Sequence, residues 1–328
     1  MHSVTEVDLD EWNIHLRHCQ QVNLLQSWQY GAAKELSDGW CAFRFLVRGG
    51  KGEPVALAQV LAKQVPVFGG AARINRGPLL IGAVGAGAGD ALRFDVVRSL
   101  VRECRRRRWW VVQIAPELQG KEYALRLTAE LKLRHLPIAP WASGMVSLAD
   151  DEERRLMALQ GKWRNCLRKG WKLGVSVSVS SGDSGELAEL LARYRQLQQS
   201  RGFTGISDAL IAALARQTGA NWEFTLFVAN RPETTVVDDS VGMLVSVRHG
   251  DSTTYLIGAT TEEGRKLQAN YVLLWRAMQH AKSLGCQWFD IGGLNSTTPE
   301  GIAHFKQGLN PVSYALVGEW RGILLRSV

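Results

Sequence analysis

Long apolar runs are missing from this chain. No stretch of 18 or more hydrophobic residues occurs in its 328 residues, so a transmembrane helix is not expected. Cysteine is scarce. Cys19, Cys41, Cys104, Cys166 and Cys286 are odd in number and form no CxxC pair. That excludes a disulfide framework or a zinc site by spacing, and it predicts a reducing compartment with no metal. None of the five sits in a recognisable nucleophile context, and no Ser-His-Asp or Cys-His arrangement can be argued. The opening MHSVTEVDLDEW is polar and acidic, unlike a secretory leader. These absences together predict a cytoplasmic protein.

What is present is apolar residue content of 46% and a net charge of +8. The first is enough for sizeable cores, and the length suits two domains. The second fits a polyanionic partner such as RNA, a phosphorylated metabolite or an anionic lipid surface reached by peripheral contact. Periodicity predicts a helical region over 7–36, broken near Val22–Ser27, with Ser27 as N-cap. A hairpin is expected at Ala42–Arg48 and Pro54–Leu61, a strand at Ala71–Leu80, a helix at Asp90–Arg107 and a strand at Trp109–Ala115. A flexible run is expected at Gly82–Gly89, a helix near 117–132 and one connecting helix at Asp150–Lys172. Strands near 175–180, 223–229, 241–249 and 252–258 follow, with helices near 185–201 and 208–218 between the first two. A helix at Lys266–Leu284 leads to the strand Gln287–Ile291. The chain closes with an expected strand pair, Ser313–Trp320 and Gly322–Arg326.

A weak internal repeat runs through this order. Arg76–Gly82, loop, helix and Trp110-Val111-Val112 parallel Tyr255–Gly258, loop, helix and Trp288-Phe289. Two strand–helix–strand units predict two domains of one fold, divided near Ala149–Asp150.

The chain's focal stretch is 252–309. Its strand ends in Asp290-Ile291-Gly292-Gly293, an open end where backbone N–H groups can face a ligand beside the Tyr255 strand. Lys306 supplies a mobile positive charge close behind. Asp290 either orients an amine or caps the turn, and His304 is either a base or a structural residue. The basic helix Gly161–Lys169 places Lys162, Arg164, Arg168 and Lys169 where they can neutralise phosphates, with Trp163 stacking or buried. Arg265 and Lys266, between a strand and a helix, can bind an acyl-CoA pyrophosphate or a substrate phosphate. The glycine-rich acyltransferase pattern Gln/Arg-x-x-Gly-x-Gly/Ala is absent there. Arg105–Arg108 reads as a helix end favoured by the dipole.

DIGGLNSTTPEGIAHFKQGLN resembles the C-terminal signature of the FemAB/FemX family: a strand ending D-x-G-G, a loop, then G-hydrophobic-x-x-FK-x-G. LLQSWQYGAAKE, RGPLL and KWRNCLRKGWKLGVSV resemble three further family stretches, in the right order over nearly the whole chain. The resemblance implies an α/β (α+β) fold of two tandem GNAT-like acyltransferase domains, with mixed sheets flanked by helices and no coiled-coil arm. The first domain would span 1–149, completed by 311–328, and the second 150–310.

The same resemblance implies an aminoacyltransferase that moves an aminoacyl group from aminoacyl-tRNA, a co-substrate in place of any cofactor, to an amine acceptor. An N-acyltransferase using acyl-CoA or an acyl carrier protein is the alternative. By matching position Lys306 would stabilise the oxyanion with Asp290 beside it. Tyr255, Gly292, Gly293, His304 and Phe305 would bind substrate, Lys34 would contact the acceptor, and Arg201 would line the cleft. Two departures stand out. Ala115 occupies the place of a family aspartate before Pro116, and Thr204–Leu210 lacks the Arg and Tyr that hold a nucleotide-linked acceptor. The acceptor is thus open between a peptidoglycan precursor, a peptide and a small amine.

Overall fold

The computed structural model describes residues 2–65, 69–82, 88–181, 185–231 and 240–324. The expected Gly82–Gly89 run and the end of the expected strand Gly322–Arg326 fall largely outside them. The chain divides into two compact units, 1–142 with 314–328, and 143–313.

In the first unit, β1 (Ser3–Glu6), α1 (Leu9–Leu16) and α2 (Trp28–Asp38) precede β2 (Cys41–Arg48) and β3 (Pro54–Val65). Then come β4 (Gly69–Asn75), β5 (Leu79–Leu80), α3 (Ala88–Arg106), β6 (Trp109–Ala115), α4 (Lys121–Ala129) and β7 (Arg134–His135). Ser27 caps α2 by accepting from the Tyr30 N–H, and Gly39 ends it in the left-handed region at φ 63°. The break expected near Val22–Ser27 is a 3-10 turn at Leu24–Gln26 between the two helices. The break is fixed by the buried Gln26, whose side chain accepts from the Gln59 N–H and donates to the Asn75 and Gln59 carbonyls.

The second unit runs β8 (Ala142–Ser147), α5 (Glu152–Ala158), α6 (Gly161–Lys172), β9 (Ser176–Ser181), α7 (Glu186–Arg201) and α8 (Asp208–Ala215). It continues with β10 (Trp222–Asn230), β11 (Ser240–His249), β12 (Ser252–Thr260), α9 (Glu262–Lys266), α10 (Ala269–Ser283), β13 (Trp288–Asp290) and α11 (Glu300–Gln307). β14 (Val312–Ala315) then lies beside β8, while β15 (Trp320–Ile323) joins the first sheet, so the expected closing pair is instead one strand in each sheet. The single connecting helix expected at 150–172 is α5 and α6, because Leu159 and Gln160 are extended. Arg164 Nη1 reaches back to the Met157 carbonyl at 2.9 Å, satisfying one of the acceptors that the helix end leaves open.

The first sheet is ordered β1-β2-β3-β4-β6-β15-β7, with β5 on β3, and the second β14-β8-β13-β12-β11-β10-β9. The division falls at 142/143 because β8 pairs with β13 in the second sheet, Ser147 opposite Trp288. Each unit carries one parallel pair joined through a helix, β4–α3–β6 and β12–α10–β13. The strand that matches β12 in the repeat is therefore β4. Leu79–Leu80 instead runs antiparallel to β3. Phe45, Phe94, Trp109 and Ile114 centre the first core; Phe227, Trp275, Phe289 and Trp163 centre the second.

Candidate active site

The two parallel pairs differ at their open ends. β4 and β6 stay in register from Ala71 opposite Val111 to Asn75 opposite Ala115. β12 and β13 pair only from Ser252 opposite Trp288 to Thr254 opposite Asp290. The β12–β13 ladder ends there, while the Ile291 N–H carries the ladder with β8 on by donating to the Gly144 carbonyl. β12 also carries a bulge, with Val245 opposite Ile257 but Ser246 opposite Tyr255. Such a bulge re-aims side chains beside a gap.

The turn after β13 is held by Asp290. Its Oδ1 accepts from the Gly292 N–H at 2.9 Å and lies 2.5 Å from Ser143 Oγ, which is also 2.9 Å from the Gly292 carbonyl. Gly292 has φ 71°, and a Cβ there would stand 2.8 Å from the Tyr255 carbonyl and 3.3 Å from Lys306 Nζ. Only glycine allows this approach. Ser143 escaped the sequence reading. It comes from 147 residues upstream, and an isolated serine carries no local signal.

Lys306 enters the gap from α11. Its Nζ donates to the Gly293 carbonyl at 3.2 Å and lies 4.9 Å from the Tyr255 ring centroid. The side chain is buried. Desolvation lowers its pKa from 10.5 to about 8, opposed by the Asp290 carboxylate. Burial raises the Tyr255 phenol, and the neighbouring Tyr194 adds to the effect. Tyr194 was also missed; its hydroxyl stands against Gly205, where a Cβ would be 2.0 Å away. An ammonium with one carbonyl acceptor and an aromatic face keeps N–H donors for a developing negative charge.

Phe305 faces the other way. It stacks on Trp163 at 6.0 Å and meets Tyr271 edge-on at 5.1 Å. Trp163 Nε1 donates to the Phe305 carbonyl at 3.0 Å. A Cβ on Gly308 would lie 2.4 Å from the Trp163 ring, so the glycine of FK-x-G makes room for that indole. Trp163 is thus a buried positioning residue for the Phe305–Lys306 peptide.

The structure brings together Lys306, Asp290, Tyr255, Gly292 and Gly293, with Phe305 behind them. His304 is exposed on α11, and Arg201 is exposed at the last residue of α7. Lys34 lies in the first unit, on α2, paired with Asp38. Lys162, Arg168 and Lys169 are exposed along α6, while Arg164 is tied to the Met157 carbonyl. The expected loop Thr261–Asn270 instead holds the helix α9 and the start of α10. There Thr261 caps the Gly264 N–H, Arg265 donates to the Thr260 carbonyl and Lys266 pairs with Glu262 at 3.3 Å. Among the described residues no cluster of His, Cys, Asp or Glu could hold a metal, and no helix is long and apolar enough to cross a membrane.

Comparison with known proteins agrees with this architecture. Residues 159–307 match the family model for the Acetyltransferase (GNAT) domain. Against the curated proteins the sequence finds no match. Among solved structures, FemX is similar over 98% of this chain and 97% of its own, with a TM-score of 0.74 and 18% identity. A tandem GNAT protein from the clavulanic acid biosynthesis pathway is similar over 100% of both chains (TM-score 0.52, 11% identity). L-PGS from Bacillus licheniformis is similar over 98% of this chain and 94% of its own (TM-score 0.52, 14% identity). The chain has the FemX-like tandem GNAT fold, and the match to the GNAT domain model lies within its second unit.

Proposed function

We infer that this protein transfers an aminoacyl group from an RNA-borne ester to an amine, forming an amide. The observation that carries this reading is the buried Lys306 ammonium set between Tyr255 and Gly293, where β12 and β13 part. In the step, a neutral amine attacks the ester carbonyl and the carbonyl oxygen becomes an oxyanion. Lys306 donates to that oxyanion. Collapse breaks the ester C–O bond, and the proton released by the attacking nitrogen goes to the departing ribose oxygen. Asp290 and Ser143 hold the turn that presents the Gly293 carbonyl to Lys306.

Two features favour an RNA-borne donor. Lys162, Arg168 and Lys169 leave an exposed basic face on α6, suited to phosphate contacts. The segment between β12 and α10 places Glu262 and Glu263 in the first turn of α9, which repels a pyrophosphate from that helix start. Transfer from acyl-CoA is the second reading, favoured by the match of 159–307 to an acetyltransferase model. FemX as a neighbour makes a peptidoglycan precursor the first acceptor to try, beside free peptides and small amines. Work in the cytoplasm fits the free cysteines.

The deciding assay offers labelled aminoacyl-tRNA and, separately, a panel of acyl-CoAs to mixed amines. Nuclease-sensitive amide formation is the expected result. Transfer from the CoA panel alone overturns the RNA-borne donor.

A further inference from the structure

The C-terminal end of α3 concentrates arginine beyond what its helix needs. Arg102, Arg105, Arg106 and Arg108 line a recess of about 340 Å³ together with Trp110. The acid at hand, Glu103, is already engaged: Arg106 pairs with it at 2.6 Å, and Arg107 does so at 2.6 Å. Arg107 turns inward, over Phe45 at 4.8 Å and Phe43 at 5.1 Å, and so braces the core. Arg102, Arg105 and Arg108 are exposed and have no ion pair among the described residues. Positions 102, 105 and 106 share one helix face, where like charges oppose one another. The helix dipole favours cations in the last turn, but its effect does not extend to Arg108, outside the helix. Arg108 sits at φ 60°, a left-handed position where glycine is the easy choice.

Trp110 completes the recess. The β4–β6 register slips between Gly70, opposite Trp109, and Ala71, opposite Val111, so Trp110 is the bulged residue. Its indole is half-buried, and its Nε1 stands against Gly69, where a Cβ would be 2.0 Å away. The result is a concave site with several guanidinium groups and one aromatic wall, at the small end of ligand-pocket volumes.

We propose that this recess on the first unit binds the phosphodiester backbone of single-stranded RNA, with one base stacked on Trp110. Guanidinium forks match phosphate oxygens, and an aromatic ring beside them takes a base of any sequence. A membrane surface would instead favour projecting apolar side chains; here the aromatic residue lines a hollow. The site is built from residues of the first unit alone, none of which the Lys306 site uses. The choice of RNA as the nucleic acid leans on the donor reading above.

The test measures binding without transfer. A labelled RNA of about 12 nucleotides, within the span such sites cover, is titrated by anisotropy at several salt concentrations. The probes are wild type, Arg102→Gln/Arg105→Gln/Arg108→Gln, Arg105→Glu/Arg108→Glu, Trp110→Leu and Lys306→Met, each checked for an unchanged melting temperature. The triple variant is expected to bind at least tenfold more weakly, with a log–log salt slope shallower by about 2, at ~0.7 per phosphate lost. Trp110→Leu is expected to lose roughly fivefold or more. Lys306→Met should bind as wild type does, which separates this site from the transfer chemistry. Unchanged binding in both arginine variants overturns the proposal. So does equal competition by inorganic polyphosphate with no effect of Trp110→Leu, which would mean phosphate capture without a base. Loss of binding to phosphatidylglycerol vesicles, with RNA binding intact, also overturns it and assigns the patch to lipid.

Discussion

At the residue scale, Lys306 joins function to instability. Burial lowers its pKa to about 8, so the folded protein releases this proton before the unfolded chain does. Between about pH 8 and 10.5 the unfolded state holds more protons, and stability rises with pH. The rise should total about 3 kcal/mol, at 1.36 kcal/mol per pH unit. Urea midpoints of wild type against Lys306→Met over that range measure it: the difference should shrink as pH rises. At pH 7 Lys306→Met is expected to melt no lower than wild type. Its transfer rate should fall by about 2.7–4 kcal/mol, or roughly 100- to 1,000-fold. If Lys306 works as a cation, kcat/KM of the wild type falls above about pH 8, and Lys306→Arg loses that limb. A rate that climbs through pH 8 would make it a base instead. Gly292→Ala should cost at least ~1–2 kcal/mol of stability, because φ 71° and the Tyr255 carbonyl at 2.8 Å both oppose a side chain.

At the element scale, α6 and α11 act as a pair. Trp163 lies between Tyr271 and Phe305 and donates to the Phe305 carbonyl. Trp163→Phe keeps an aromatic ring but removes the hydrogen bond, costing ~1 kcal/mol in melting experiments. Its kcat should drop more than its KM rises, since the lysine one residue on loses its register. Trp163→Leu leaves a cavity and should cost about 3 kcal/mol or more. Gly308→Ala forces a methyl to within 2.4 Å of the indole and should cost ~1–3 kcal/mol by overpacking. Activity equal to wild type in Gly308→Ala would show that the Trp163 contact does not position the site.

At the scale of the whole molecule, the chain crosses back on itself. β15 lies between β6 and β7, with Trp320 opposite both Ile114 and His135. Trp320 and Leu324 enter the first core. Deleting residues 317–328 removes an interior strand from the first sheet and leaves β6 with an open edge. The truncated chain should be largely insoluble. A soluble product with native circular dichroism and an unchanged melting temperature would contradict the role of β15.

Much of this was legible in the sequence, for local reasons. Ser27 marks the start of α2 by cap chemistry, and the alternating Val-, Leu- and Phe-rich runs of β2 and β3 mark their hairpin. The FemX-like fold was legible through its motifs, above all DIGG and FK. β8 was not, because ASGMVS is short and small-residued and becomes a strand only beside β13. The break between α5 and α6 was hidden as well. The apolar spacing of Leu156, Leu159 and Trp163 runs across it, while the Gln160 N–H is taken by the Gly308 carbonyl.

The sequence alone determined the glycine at 292 and the lysine at 306, since each is written in a motif, and it pointed to a two-fold repeat while matching β12 to the stretch after β4. Tertiary structure decided what they do. It closed the β4–β6 pair and parted β12 from β13, a difference of hydrogen-bond register between distant strands. It brought Ser143 to Asp290 across 147 residues. It also buried the Lys306 ammonium against Tyr255, because desolvation depends on what surrounds a group and not on its neighbours in the chain.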